Sequence, residues 1–267
     1  MRSSIDASVT PVVLTYNEEA NIHRTLHSLA WAERVVVVDS GSTDKTHEIA
    51  TSFSNVGWFF RAFDSFKAQY EYAIHDTGIS TDYVLALDAD MVVSQALRAE
   101  IENGFMGEGF AGGMFSFEFC ISGHPLFGSL YPPQPRLFER DKVRVSQVGH
   151  GHKFEVRGPI YRFKTPLIHD DRKSLEHWIA SQLAYSSIEA ERVVSKGPHK
   201  LRDRLRQLGL MPPLVAALAY IRAGGPWRGA AAVHYAYERA AYECLLAMRL
   251  MSSRLEKEQD SSSTSIK

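Results

Sequence analysis

"VVVVDSGSTDKT", Val35 to Thr46, joins four consecutive valines to a run of hydroxyls, carboxylates and one glycine. Side chains alternate across a strand, so a run with no polar residue on either face reads as a strand buried on both sides. Such strands sit in the middle of parallel sheets covered by helices, and the polar run then marks the carboxyl edge of the sheet. "VLALDADMV", Val84 to Val92, is built the same way, with Asp88 and Asp90 at its end. "TPVVLTY", Thr10 to Tyr16, is a third apolar run and stops at "NEE".

Helical patterns fill the spaces between these runs. Ile22, Leu26 and Leu29 fall at i, i+4 and i+7, which gives one apolar helical face. Asn17 is the expected N-cap of that helix, with Glu18 and Glu19 in its first turn. Further helices are expected over 43–52 and 66–75, and further strands over 56–60 and 83–87. The alternation predicts an α/β fold with a doubly wound, mostly parallel sheet. Ligands of such sheets bind outside the carboxyl ends of the strands, where all three polar clusters fall. No Gly-x-Gly-x-x-Gly or Gly-x-x-x-x-Gly-Lys-Ser/Thr occurs, which argues against a dinucleotide fingerprint or a P-loop.

Composition narrows the class. The 267 residues are 45% hydrophobic and 23% charged, with a formal net charge of −1. That is an ordinary globular balance with no general attraction to nucleic acid. Cys120 and Cys244 stand far apart and outside any metal-ligand spacing, so reduced thiols and a cytoplasmic setting are expected. "MRSSIDASVT" lacks the apolar core of a signal peptide, and no uninterrupted apolar run is long enough to span a bilayer. In "DAD", Asp88 and Asp90 leave the sheet two residues apart, and hard carboxylate oxygens suit Mg²⁺ or Mn²⁺.

"VVLTYNEEANIHRTLHSLAWAERVVVVDSGSTDKTHEIA", followed by "YVLALDADMVVS", resembles family 2 glycosyltransferases of the GT-A fold, in particular bacterial members that extend lipopolysaccharide cores or related surface glycans. The resemblance implies an inverting, metal-dependent transfer of sugar from a nucleotide-diphosphate donor to an acceptor hydroxyl on a glycan or lipid-linked acceptor. It assigns Thr15, Tyr16 and Glu18 to nucleotide contacts and Asp39 to the base or ribose. Asp88 falls on a ribose ligand and Asp90 on the metal ligand. "FKAQYEYAI" matches a family segment through Gln69, and Lys67 is the candidate cation for the diphosphate. "YPPQPRLFERD" places Arg136 near the cleft. In "LIHDDRKSLEHW", His169 matches a histidine that completes the metal site. "GHGHKFEVRG" stands where relatives carry His-Glu, yet Gly151 follows His150. Asp171 is therefore the favoured base, with His150, Asp170 and Glu155 behind it.

Two other classes compete. A catalytically inactive relative that only binds sugar nucleotides would explain the displaced glutamate. A haloacid-dehalogenase-type phosphatase would use Asp88 as nucleophile, although such enzymes place that strand first in the chain.

Four regions are expected: a flexible N-terminus at 1–9, the GT-A glycosyltransferase domain at 10–200, a basic amphipathic helical extension at 201–255 and a disordered tail at 256–267. From Glu191 to Arg254 there are 11 Lys plus Arg against 4 Asp plus Glu. Tyr237, Ala241, Cys244, Met248 and Met251 form an apolar stripe at helical spacing. Bases beside short apolar helices suit an anionic membrane surface, so attachment to the inner face of the cytoplasmic membrane is expected.

Overall fold

In a computed structural model, residues 8–148, 151–196 and 201–264 are described. The expected alternation is present. Strand β1 (Val9–Thr15) leads to helix α1 (Ile22–Ser28), β2 (Val35–Asp39) to α2 (Thr46–Thr51), β3 (Val56–Phe60) to α3 (Phe66–His75), and β4 (Tyr83–Asp88) follows. Every residue of β1 and β2 is buried, as strands covered on both faces must be.

The valines of β2 divide between two cores. Val35 and Val37 join Val9, Val13, Leu85 and Leu87 against α1 on one side. Val36 and Val38 join Val12, Leu14, Val84 and Ala86 against Tyr70, Ala73 and Ile74 of α3 on the other. A period of two with both sets apolar is what double winding requires.

After β4 the chain continues through β5 (Met91–Val92), α4 (Gln95–Glu100), β6 (Gly112–Phe115), β7 (Phe117–Ile121), β8 (His124–Pro125) and β9 (Gln134–Glu139). Then come β10 (Val143–Val148), β11 (Gly151–Val156), β12 (Ile160–Arg162) and β13 (Leu167–His169). The main sheet has the order β12-β6-β9-β4-β1-β2-β3. β1 is parallel to β2 and β4, and β2 to β3; β9 runs antiparallel between β4 and β6. β5, β13, β7 and β8 form a small second sheet, and β10 and β11 a hairpin. The sheet is therefore doubly wound and mostly parallel, as expected, and a helical extension follows it.

That extension comprises α5 (Leu175–Lys196), α6 (Leu201–Gln207), α7 (Met211–Ala223) and α8 (Gly229–Thr264). The chain divides into two compact units: Met1–Pro125 with Tyr131–Lys173, and Leu126–Leu130 with Ser174–Lys267. The division falls before α5, where 200/201 was expected, because α5 packs with α8. Helix α8 also runs to Thr264, through most of the stretch expected to be disordered. Residues 1–7 of the expected flexible N-terminus lie outside the described residues.

Candidate active site

The strand order reverses beside β1, since β2 and β3 lie on one side of it and β4 on the other. Open α/β sheets take their ligands in the crevice at such a reversal. Two loops and two aspartates from "DAD" meet there.

The loops after β1 and β2 are laced together by side chains. The Asn17 N–H donates to Ser42 Oγ at 2.8 Å, and Glu18 N–H to Thr46 Oγ1 at 2.7 Å. Glu19 N–H donates to Asp44 Oδ2 at 3.1 Å, and Lys45 N–H to Glu19 Oε2 at 3.0 Å. Asn17 is not the N-cap of α1: it sits at φ 52°, accepting from Thr43 N–H at 2.8 Å, and α1 starts only at Ile22. An asparagine tolerates this left-handed conformation better than most residues. Asp39 is buried, and its Oδ2 accepts from the N–H groups of Gly41 and Ser42, both at 2.9 Å. The hydroxyl of Ser42 donates to Oδ1 at 2.5 Å. So the small polar residues after the valines first build a rigid double loop. Thr15 Oγ1, by contrast, is buried without a hydrogen-bond partner, and the Tyr16 ring is exposed.

Asp88 ends β4, and the chain turns through Asp90 into β5. Antiparallel pairing of β5 with β13 sets Met91 opposite His169. His169 Nε2 thereby comes to 3.6 Å from Asp90 Oδ2. Asp90 Oδ1 and His169 Nδ1 are both buried without a hydrogen-bond partner. The imidazole is stacked on Phe119, with centroids 4.5 Å apart. Burial pushes the Asp90 carboxyl above its ordinary value; His169 opposes this, while Asp88 and Asp171 add to it.

Asp88 has a different setting. Arg136 of β9, only 1% exposed, places Nη2 at 3.1 Å from its Oδ2, and the Tyr70 hydroxyl donates to Oδ1 at 3.2 Å. Burial opposes ionisation, but Arg136 and then His152 and His169 hold Asp88 below the ordinary carboxylate range. His152 packs on Tyr70 with centroids 4.6 Å apart, and burial pushes it down to about 4, so it is neutral near pH 7.

A further cluster sits where β1 and the segment after β13 come together. Lys173 Nζ pairs closely with Glu18 Oε1 and lies 3.6 Å from Asp171 Oδ2. Asn21 Nδ2 donates to Glu18 Oε2 and to Asp171 Oδ1, each at 2.8 Å. Burial raises Glu18 to about 7; Lys173 pulls it down and Asp90 pushes it up. For Asp171, burial is outweighed by Lys173, which together with hydrogen bonds holds it below the ordinary value. Lys173 itself stays above its ordinary value despite burial, because Glu18, Asp171 and Asp90 surround it.

The structure thus brings Glu18, Asp88, Asp90, His169 and Asp171 to one neighbourhood. Arg136 is there too, but buried behind Asp88 and occupied by it. Gln69 is buried and donates to Ser40 Oγ at 3.1 Å and Arg61 O at 2.7 Å, so it supports the loop after β2. Lys67 faces Glu71, 3.6 Å away on the outer side of α3. Asp170 is tied to Arg24 at 2.6 Å, to Arg172 at 2.8 Å and to Gly123 N–H at 2.9 Å. Glu155 pairs with Lys153 at 3.2 Å on the surface. His150 lies outside the described residues. Among the described residues, no three His, Cys, Asp or Glu side chains converge as a ready-made metal cage. Cys120 and Cys244 are free thiols, and burial pushes Cys120 up to about 11. Lys173, Asn21 and Arg24 were not legible as site residues; the run "HDDRK" beside His169 was the one signal for the lysine.

Buried carboxylates and an imidazole thus stand at the reversal point of a doubly wound sheet, where sheets of this kind take their ligands. Residues 10–103 match the model of glycosyl transferase family 2. The chain is 25% identical over 255 residues to the lipopolysaccharide core biosynthesis glycosyltransferase LpsC of Rhizobium meliloti, covering 89% of this chain and 90% of that protein. An uncharacterized glycosyltransferase of Rickettsia bellii is 33% identical over 109 residues, 40% of this chain and 36% of that one. Among solved structures, S. aureus TarS 1-349 in complex with UDP-GlcNAc aligns with a TM-score of 0.44 at 15% identity, over 93% and 92% of the two chains. Glucosyl-3-phosphoglycerate synthase from Mycobacterium tuberculosis, with Mn²⁺, UDP-glucose and phosphoglyceric acid, gives a TM-score of 0.48 at 16% identity, over 73% and 81%.

Proposed function

We propose that this protein is a glycosyltransferase that moves a sugar, with inversion, from a nucleoside diphosphate donor to a hydroxyl of a lipopolysaccharide core or related surface-glycan acceptor, at the cytoplasmic face of an anionic membrane. The observation that carries the donor site is the Asp90–His169 pair at the reversal point, each side chain keeping one buried atom without a partner. A carboxylate and an imidazole with free donor atoms fit Mg²⁺ or Mn²⁺, which also need few protein ligands when phosphates share the ion. Asp90 and His169 would hold that ion, which when bound neutralises charge on the departing diphosphate.

The remaining roles belong to the chain. Thr15 Oγ1 offers a hydrogen bond to the nucleotide, Tyr16 an exposed ring for the base, and Asp39 an acceptor at the edge of its loop. Asp88, fixed by Arg136 and Tyr70, accepts from the ribose. As the acceptor oxygen bonds to the anomeric carbon, the bond from that carbon to the diphosphate oxygen breaks with its electron pair. The acceptor proton passes to a carboxylate. Asp171 is the proposed base; the raised value of Glu18 favours it as the second reading, because a base works best with a pKa near the working pH. Acidic-limb inhibition of kcat/KM near pH 7 would assign Glu18, and a limb well below that would assign Asp171.

A thermal-shift screen of uridine, guanosine and thymidine diphosphates and their sugars, with and without Mn²⁺, tests the donor site. Asp90→Ala is expected to abolish the metal-linked shift and turnover while its own melting temperature stays close to the parent's. An Asp90→Ala protein that keeps full turnover, or a parent fully active in excess EDTA, overturns the metal-assisted reading.

A further inference from the structure

The second unit ends α7 in a corner of exposed apolar side chains. Pro213, Leu214, Ala217, Leu218, Ile221 and Arg222 form the exposed face of α7, with Ile221 72% exposed. Gly224 stops the helix at φ +105°, and a Cβ there would lie 2.7 Å from Phe127 Cδ2. That gap seats Phe127, whose N–H donates to Ala223 O at 3.1 Å while its ring stays 64% exposed. Trp227 N–H donates to Gly224 O at 3.1 Å, and its side chain is 82% exposed. The Arg228 guanidinium lies 4.2 Å from the Phe127 ring centroid. A tryptophan and a phenylalanine held outward by backbone hydrogen bonds on one helix end are a large apolar outlay for a surface in water.

Charge tells what the face meets. Between Asp203 and Glu238 the chain has no Asp or Glu, and besides the buried, paired Arg206 it carries Arg204, Arg222 and Arg228. Arg204 and Arg222 are exposed. A second copy would bring arginines against arginines across a two-fold contact, whereas anionic headgroups complement them. Among the described residues, no helix is long and apolar enough to cross a membrane, which leaves a helix lying in the interface.

We infer that the α7 face, with Phe127 and Trp227 at its carboxyl end, is the surface that docks this protein on an anionic bilayer. This rests on the membrane-surface reading above and names the part that carries it. Aromatic rings at the headgroup level and arginines at the phosphates are the chemistry of that boundary.

The test is co-sedimentation with vesicles of phosphatidylcholine, alone or with phosphatidylglycerol, at low and high salt. The intact chain should sediment with the anionic vesicles at low salt and be released by salt. Ile221→Asp and Trp227→Ser should each weaken partitioning roughly tenfold, as loss of one buried large apolar side chain implies, with unchanged melting temperature. If the intact chain binds no vesicle, the membrane-surface reading falls and this inference with it. If it binds and both variants bind equally well, the reading stands and the assignment to α7 falls. If light scattering shows a dimer that Trp227→Ser dissolves, without vesicle binding, the face is a self-contact and the inference is overturned.

Discussion

Two carboxylates of the site have the same side-chain chemistry and opposite settings. Asp88 has a buried guanidinium at 3.1 Å and stays ionised. Glu18 is buried with its charge compensated by Lys173, yet burial still raises it from 4.5 to about 7. The consequence for stability follows from linkage. Between pH 4.5 and about 7 the unfolded chain has released the Glu18 proton and the folded chain still holds it. Folding then binds a proton, so apparent stability falls as pH rises through this window. Glu18→Gln, which cannot titrate, should flatten that fall. Chemical denaturation of both proteins across the window measures it; equal slopes would show that Glu18 ionises with its ordinary value in the fold.

At the scale of elements, the lacing of the two loops makes a second prediction. Thr46 is fully buried; its Oγ1 accepts from Glu18 N–H and donates to Asp44 Oδ1. Thr46→Val keeps the shape and removes both bonds, leaving a backbone N–H without its partner. The expected loss is about 1–3 kcal/mol, read as a lowered melting temperature, with weaker nucleoside diphosphate binding because Glu18 moves. Unchanged melting would show that water replaces the hydroxyl. This lacing also explains what could be read from sequence. The strands were legible because burial on both faces writes itself as uninterrupted apolar runs, and β3 and α3 fall where the pattern put them. Asp88, Asp90 and His169 were legible through motif position. The loop lattice was not, because "SGSTD" spells the same residues whether they bind a ligand or one another. Asn21 meets Asp171 across 150 residues of chain, and Lys173 meets Glu18 across 155, which no local spacing records. Likewise Asn17 looked like a helix cap because capping and left-handed turns favour the same side chain.

For the whole molecule, the second unit is held by charge as well as by apolar packing. Arg206 of α6 is buried, with Nη2 at 2.6 Å and Nε at 2.8 Å from the two carboxylate oxygens of Glu243 on α8. Its Nη1 lies 3.1 Å from Glu189 of α5. One guanidinium therefore ties three helices, two of which, α5 and α8, also share the small apolar cluster of Ala190, Val193, Leu246 and Leu250. Removing one member of a buried pair strands the other without compensation, at a cost of about 3–5 kcal/mol, whereas replacing both by apolar side chains can be near neutral. Glu243→Ala should therefore lower the unfolding temperature of the second unit strongly, while nucleoside diphosphate binding, whose proposed residues all lie in the first unit, persists at lower temperature. Combining Glu243→Leu with Arg206→Met should recover most of the loss. Differential scanning calorimetry with and without nucleotide separates the two effects. A double variant as unstable as Glu243→Ala would mean that Glu189 and Asp203, 3.5 Å from Arg206 Nη1, depend on the arginine as much as Glu243 does, and that the network acts as one unit.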